Sequence, residues 1–330
     1  MLEHGGRLRA AAQQYGIPLA DWLDLSTGLA PWPFAFPAVP ACVWQRLPES
    51  EDGLAAVAGQ RYGAQSLLPV AGAQAAIQML PQLRSTGSRV GIVSPCYAEH
   101  AQAWQRGGHQ LLELSDGAVE AALEQLDVLL LVNPNNPTGR VFAPAQLLDW
   151  HGRLVARGGW LVVDEAFIDA TPALSLAAHS HLPGLIVLRS FGKFYGLAGV
   201  RLGFVLAEQG LLNELNERLG PWAVSGPARW VGLACLADQV GHAQQSLRLQ
   251  QASQRLVTLL AEHGLTVQGC GLFQWLQTPQ AGALHAHFAQ RGILLRHFTQ
   301  PQSLRFGLPA SEADWQRLGL ALQEISGSNL

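Results

Sequence analysis

The sequence predicts an α/β protein with a mostly parallel central sheet, helices on both faces of that sheet, and a smaller α/β domain. Between about residues 67 and 206, short apolar runs alternate with helix-like stretches, as in parallel strands joined by crossover helices. The runs are apolar throughout rather than at every second position, which indicates strands covered on both faces. After about residue 210 this alternation gives way to a long helical stretch and a smaller set of elements.

The elements of the large sheet can be placed in chain order. The predicted strands are Leu67–Val70, Val90–Val93, Val128–Val132, Trp160–Val163, Leu185–Leu188 and Val200–Leu206. The predicted helices between them are Ala73–Leu83, Glu99–Gly107, Ala118–Gln125 and Pro144–Arg157.

The chain ends predict a second, smaller unit. Residues 1–40 are rich in Pro and Gly and are expected to form an extended arm that belongs to the small domain. Residues 41–215 form the expected large domain. Residues 216–330 form the rest of the small domain, with one long helical stretch over 226–263 followed by a small α/β layer.

Composition excludes several classes of protein. The formal charge of −3 gives no basic face for nucleic acid, and no apolar run approaches the roughly 20 residues of a membrane span. The four cysteines are scattered without a Cys-x-x-Cys pair, so we expect no disulfide framework and no metal site. We expect a cytoplasmic protein.

Lys193 is the only lysine among 21 basic residues. Arginine serves equally well on a solvated surface, but its guanidinium stays protonated and cannot act as a nucleophilic amine. A desolvated lysine can lose its proton and act as a nucleophile. The composition therefore makes Lys193 a candidate for chemistry.

Polar motifs follow the predicted strands, at the edge of a parallel sheet where ligands bind. The turn Asn133–Gly139 follows the strand that ends at Val132, and Asp164–Phe167 follows the next strand. Ser190–Lys193 follows the strand after that, and Arg201 lies shortly beyond it.

This ordered set resembles the fold-type I pyridoxal 5′-phosphate enzymes, in the subgroup of the histidinol-phosphate aminotransferases, and the resemblance runs from Gly72 to Arg305. It implies that Lys193 binds the cofactor covalently, that Asp164 pairs with its pyridine nitrogen, and that Tyr97 stacks on its ring. These three residues are the expected catalytic residues. The resemblance further implies that the cofactor is bound by Gly72, Ala73, Gln74, Tyr97, Asn136, Asp164, Ser190, Lys193 and Arg201.

The resemblance also implies a substrate with an α-carboxylate. Arg305 matches the arginine that binds this carboxylate in the family, and Arg296 is a second candidate anion site. His4, in His4-Gly5-Gly6, is a candidate donor to a substrate phosphate, and Gly28 lies in the arm motif Asp24–Gly28. We expect substrate contacts from His4, Gly28, Asn136, Arg296 and Arg305.

Four motifs resemble a narrower family, the threonine-phosphate decarboxylases of cobalamin biosynthesis: His4-Gly5-Gly6, Asp24–Gly28, Asp164–Asp169 and Leu304–Pro309. These enzymes convert L-threonine O-3-phosphate to (R)-1-amino-2-propanol O-2-phosphate and CO₂. The alternative is an aminotransferase for histidinol phosphate or a related amino acid, which would share every cofactor residue. Both readings imply a phosphorylated amino acid as ligand and a homodimer.

Two motifs depart from the aminotransferase pattern. Phe167 replaces a tyrosine whose hydroxyl reaches the cofactor, and Leu47-Pro48 replaces a Tyr-Pro pair. These two changes weigh against a generic aminotransferase. A separate departure lies in the arm, where Ala30-Pro31 stands at a position at which relatives of the narrower family carry Asn-Pro.

Overall fold

The computed structural model describes residues 4–326 and contains a seven-stranded and a five-stranded sheet. Residues 1–3 of the predicted arm and residues 327–330 of the predicted small domain lie outside the described range. The strands are β1 Leu23–Leu25, β2 Leu67–Val70, β3 Arg89–Val93, β4 Gln110–Leu114, β5 Val128–Val132, β6 Trp160–Asp164, β7 Leu185–Ser190, β8 Gly203–Leu206, β9 Gln268–Cys270, β10 Phe273–Gln277, β11 Ile293–Thr299 and β12 Gln302–Gly307.

The seven-stranded sheet has the order β2-β8-β7-β6-β5-β3-β4. Strands β4, β3, β5, β6 and β7 run parallel, whereas β8 is antiparallel to both of its neighbours. The prediction of a mostly parallel sheet is confirmed. The predicted strand Val200–Leu206 was too long, because Ala198–Val200 forms a 3-10 turn and the strand begins at Gly203.

Both faces of this sheet are buried, as the continuous apolar runs predicted. Along β5, Leu129 and Leu131 pack into one core cluster, while Val128 and Leu130 pack into another. Side chains that alternate along one strand therefore pack into different core clusters on opposite faces of the sheet, which fixes the register of the strand.

The helices are α1 Leu8–Tyr15, α2 Ala41–Gln45, α3 Leu54–Tyr62, α4 Ala73–Met79, α5 Glu99–Arg106, α6 Val119–Ala122, α7 Pro144–Val155, α8 Phe191–Phe194, α9 Gln209–Leu219, α10 Gly226–Ala237, α11 Gln239–Glu262, α12 Ala281–Gln290 and α13 Glu312–Ser326.

The long helical stretch over 226–263 is not one helix. It breaks at Asp238, whose side chain accepts a hydrogen bond from the N–H of Gly241 and caps α11. A capping aspartate satisfies backbone N–H groups that a continuous helix would not leave free. The prediction of a single helical stretch was therefore wrong at this point, since two helices, α10 and α11, cover residues 226–262.

The five-stranded sheet has the order β1-β11-β12-β10-β9 and joins the two ends of the chain. Its edge strand β1 runs parallel to β11, with Leu23 opposite Ile293. The first 40 residues are therefore not an extended arm throughout, since they contain both α1 and β1. Among residues 4–326, no helix has the length and apolar character needed to cross a membrane.

Candidate active site

A cavity of about 680 Å³ lies at the carboxyl ends of β5, β6 and β7. Open parallel sheets bind their ligands at this edge. The residues predicted to hold a cofactor line this cavity together: Gly72, Ala73, Gln74, Tyr97, Asn136, Asp164, Ser190, Lys193 and Arg201. The structure thus brings into one site residues that are more than one hundred positions apart in sequence.

Lys193 lies on the short helix α8, directly after β7, and its side chain is half-buried. Burial, together with the positive charges of Arg305 and Arg201, lowers the pKa of its amine to about 8, against an opposing effect of Asp164. The amine is therefore much closer to its neutral, nucleophilic form at physiological pH than an ordinary lysine is. The backbone carbonyl of Lys193 accepts a hydrogen bond from the N–H of Ala30, 2.9 Å away, which ties the N-terminal segment to this helix.

Asp164 is buried at the end of β6 and is held in a fixed orientation. Its Oδ1 accepts a hydrogen bond from the N–H of Ala166, 2.9 Å away, and its Oδ2 lies 2.8 Å from Nε2 of the buried His100. His100 is on α5, three positions beyond Tyr97. This pair places a carboxylate on the cavity wall with its rotation blocked.

The opposite end of the cavity is suited to an anion. Gly72 has φ +75°, a conformation that favours glycine, and its Cα lies against the guanidinium of Arg201, whose Nη2 would be 2.8 Å from a Cβ. Gly72 precedes α4, whose first N–H groups have no partner within the helix. Arg201 and the hydroxyl of Ser190 line the same end. Backbone N–H groups, a guanidinium and a hydroxyl are the donors that bind phosphate.

Tyr97 covers one side of the cavity and remains a phenol. Burial raises its pKa to about 12, with further contributions from Glu99 and Asp164. Its hydroxyl donates a hydrogen bond to Oε1 of Gln74, 3.2 Å away. Its ring meets the ring of His100 edge-on at 6.0 Å.

Glu165 and Asp169, which follow Asp164 in the sequence, have a structural role behind the cavity. The guanidinium of the buried Arg189 bonds to Glu165 at 3.2 Å and also to Asp169. It lies 4.2 Å above the ring of Tyr62. Burial raises the pKa of Glu165, and Arg189 acts against that effect. Because Glu165 follows Asp164 and Arg189 precedes Ser190, this cluster fixes the ends of the two strands that carry cavity residues.

A second cavity, of about 1140 Å³, opens from the first and shares Tyr97, Asn136 and Lys193 with it. The residues predicted to bind substrate all line it: His4, Gly28, Asn136, Arg296 and Arg305. They come from the N-terminal segment, from the turn after β5, and from β11 and β12. The structure therefore places the predicted substrate residues beside the predicted cofactor residues.

Arg305 is the buried cation of this second cavity. Its Nη1 donates to Oδ1 of Asn136 at 2.5 Å, and its Nη2 donates to the backbone carbonyl of Ser26 at 2.9 Å. Its buried Nε has no hydrogen-bond partner. Burial lowers its pKa to about 10, with a further effect of Arg296, so the guanidinium is still charged at neutral pH. A buried cation with an unpaired N–H group is suited to binding an anion.

Phe167 and Gly28 shape the passage between the two cavities. The ring of Phe167 lies 5.6 Å from Nζ of Lys193 and meets the ring of Phe273 edge-on at 5.1 Å. A Cβ on Gly28 would lie 2.9 Å from Phe167 and 3.0 Å from Phe273. The phenylalanine thus presents an apolar surface where a tyrosine would present a hydroxyl.

Comparison with known proteins identifies the family of this chain. A model of the family "Aminotransferase class I and II" matches residues 43–319. A threonine-phosphate decarboxylase of Pseudomonas aeruginosa is 62% identical over 98% of this chain and 97% of its own length. The chain belongs to the threonine-phosphate decarboxylase family. A second member, from a Sinorhizobium species, is 42% identical over 98% of both chains.

Solved structures show that this decarboxylase family shares the aminotransferase fold. The chain is similar to L-threonine-O-3-phosphate decarboxylase from Porphyromonas gingivalis, with a TM-score of 0.77 at 21% identity over 92% of this chain and 99% of that one. Histidinol-phosphate aminotransferase from Sinorhizobium meliloti, solved in complex with pyridoxal 5′-phosphate, gives a TM-score of 0.86 at 21% identity over 100% and 96%. At this sequence identity the structural similarity establishes only the fold. It confirms the predicted fold-type I architecture.

The residues present fit the cofactor that the family implies, pyridoxal 5′-phosphate. Lys193 would supply a nucleophilic amine, Asp164 a fixed carboxylate for a pyridine nitrogen, and Tyr97 an aromatic face. Arg201, Ser190 and the turn at Gly72 supply phosphate donors at the far end.

Two residues of the site were missing from the sequence-based prediction. His100 fixes Asp164, and Glu99 contacts both the N-terminal segment and α4. The only sequence signal for either was its position in the first turn of a predicted helix directly after Tyr97.

Proposed function

We propose that this protein is a pyridoxal 5′-phosphate-dependent decarboxylase. It converts L-threonine O-3-phosphate to (R)-1-amino-2-propanol O-2-phosphate and CO₂, a step of cobalamin biosynthesis. The observation that carries the proposal is the 62% identity, over nearly the full length of both chains, to a threonine-phosphate decarboxylase.

The site supports the binding of a substrate with two anionic groups. Arg305 and Arg296 lie on adjacent strands and line the same cavity as His4. The fixed guanidinium of Arg305, held by Asn136 and Ser26, would bind the α-carboxylate. Arg296 and His4 would bind the phosphate. Two anion sites in one cavity favour a phosphorylated amino acid over a simple one.

The chemistry depends on which bond of the α-carbon is broken. When bound, pyridoxal 5′-phosphate supplies an electron sink for the pair that remains on the α-carbon after that bond breaks. Asp164 would hold a positive charge on the ring nitrogen, because a carboxylate stabilises a neighbouring cation. Arg305 would orient the carboxylate for release. Lys193, with a pKa near 8, can carry a proton at neutral pH and return it to the α-carbon.

The direct test supplies O-phospho-L-threonine as the sole substrate, with no oxo acid. We expect one CO₂ for each molecule consumed, at a rate that 2-oxoglutarate does not change. Glutamate formation that requires 2-oxoglutarate would show an aminotransferase and refute the proposal.

Arg305→Lys tests the carboxylate site in the same assay. A lysine keeps the charge but not the planar fork, so we expect kcat/KM to fall about 10- to 100-fold, the effect of losing a charge-assisted hydrogen bond. Arg218→Lys, at an exposed residue of α9, is the matched control and should leave kcat/KM unchanged. Equal kcat/KM values for the two variants would show that Arg305 does not bind the substrate.

We also propose that the protein acts as a symmetric homodimer in the cytoplasm, with a large domain over residues 41–215 and a small domain from the remainder. Exposed apolar side chains on and beside α2 support the dimer, since Trp44 is 67% and Leu47 is 63% exposed. Light scattering should give twice the chain mass. Leu47→Asp should lower that mass if this surface is the interface.

A further inference from the structure

Glu99 connects the N-terminal segment to the helix at the phosphate end of the cofactor cavity. It lies in the first turn of α5, and its side chain is only 13% exposed. Its Oε1 lies 2.8 Å from Nε2 of His4. Its Oε2 accepts hydrogen bonds from Gln74 at 2.8 Å and from Gln78 at 3.1 Å, both on α4. One carboxylate therefore contacts two parts of the chain far apart in sequence.

The contact with Glu99 determines how His4 can bind a ligand. A carboxylate accepts hydrogen bonds, so Nε2 of His4 carries the proton and donates it to Glu99. Nδ1 is then the nitrogen that serves a ligand. An imidazolium carries a proton on both nitrogens and can donate to Glu99 and to a phosphate oxygen at the same time.

The segment around His4 is also fixed on its other side. The N–H of Gly6 donates to Oγ of Ser26 at 2.7 Å, and a Cβ on Gly5 would lie 2.4 Å from the carbonyl oxygen of Ser26. The same carbonyl oxygen accepts from Arg305. The segment is thus held at Ser26, beside the carboxylate site, and at Glu99, beside the cofactor cavity.

We propose, on the basis of the function proposed above, that Glu99 is a positioning residue for substrate binding. It holds residues 4–6 across the substrate cavity and presents His4 to the phosphate group of the substrate. Glu99 does not touch the substrate, and its effect is carried by His4.

The test is a double-mutant cycle in the holoenzyme with O-phospho-L-threonine. Glu99→Gln should raise KM about tenfold, the effect of one charge-assisted hydrogen bond, and leave kcat nearly unchanged. His4→Asn should do the same. The double variant should have the KM of His4→Asn alone, because Glu99 acts only through His4. Glu217→Gln, the same substitution at an exposed residue of α9, is the matched control, and KM should not change.

Amide hydrogen exchange of residues 4–15 provides a readout that needs no turnover. Exchange at Gly5 and Gly6 should be faster in Glu99→Gln than in the wild type, and unchanged in Glu217→Gln. Additive effects on KM, a fall in kcat alone, or unchanged exchange in Glu99→Gln would each overturn the proposal.

The failure of the proposed function would be seen separately. A wild-type enzyme that forms glutamate from 2-oxoglutarate and no CO₂ refutes the decarboxylase. The exchange experiment still tests Glu99 in that case, and the cycle is then run with histidinol phosphate, which also carries a phosphate group.

Discussion

We expect the buried positive charge of Lys193 to lower the stability of the folded protein. We predict that Lys193→Met, in the cofactor-free protein, raises the free energy of unfolding at pH 7. The pKa falls from 10.5 in an ordinary lysine to about 8 in the fold. That difference amounts to about 3 kcal/mol, at roughly 1.4 kcal/mol per unit. Because the side chain is half-buried and solvent reaches it through the cavity, we expect about 2 kcal/mol.

The lower pKa in the folded state determines how the free energy of unfolding changes with pH. Below pH 8 the lysine is protonated in both states, and the folded state bears the full cost of the buried charge. Between pH 8 and 10.5 the unfolded chain holds a proton that the folded chain has lost, so the stability of the wild type rises with pH. The advantage of Lys193→Met should therefore shrink as the pH increases through this range.

Urea unfolding of the two cofactor-free proteins, at several pH values from 7 to 10.5, measures this difference. No other lysine titrates in this range. Arg106→Met, at an exposed residue of α5, is the matched control and should show a difference that does not change with pH. A wild type that is the more stable protein at pH 7, or a difference independent of pH, would refute this account of Lys193.

Three further predictions concern the cavity walls. Reduction of the holoenzyme with borohydride should leave the cofactor on Lys193 alone, and peptide mapping that finds it elsewhere would contradict the assignment. His100→Phe leaves Asp164 without its side-chain partner, so cofactor affinity should fall about tenfold in a fluorescence titration, and unchanged affinity would mean that His100 only packs. Gly28→Ala should cost about 1–3 kcal/mol in urea unfolding, because its Cβ meets two buried rings. In contrast, Gly152→Ala, in the open interior of α7, should stabilise by about 0.5–1 kcal/mol, and equal effects would contradict the crowding at residue 28.

The central sheet and the cofactor residues could be predicted because their signals are local. Strands β5, β6 and β7 are apolar on both faces, so their ends are clear in the sequence. Asp164 and Ser190 are the last residues of β6 and β7, and Asn136 follows β5 closely. The edge strand β4 was missed. It is exposed at most of its positions and therefore lacks a continuous apolar run.

Contacts between distant segments could not be predicted in this way. His100 and Asp164 are 64 positions apart, and His4 and Glu99 are 95 apart, so only the folded chain brings them together. The strand β1 has three residues, too few for a periodic signal, and its pairing depends on β11 at the other end of the chain. In contrast, the break at Asp238 was a local signal, since aspartate is a common helix cap.

The pairing of β1 with β11 has a consequence for the order in which the protein is made. Every strand of the seven-stranded sheet, and every residue of the cofactor cavity, lies before residue 207. The partner of β1 and both substrate arginines come only after residue 292. Chains are synthesised from the N-terminus, and their early parts can fold first. The residues of the cofactor cavity are thus synthesised well before β11, so we expect the large sheet to form before β1 has a strand to pair with and before the substrate cavity is complete.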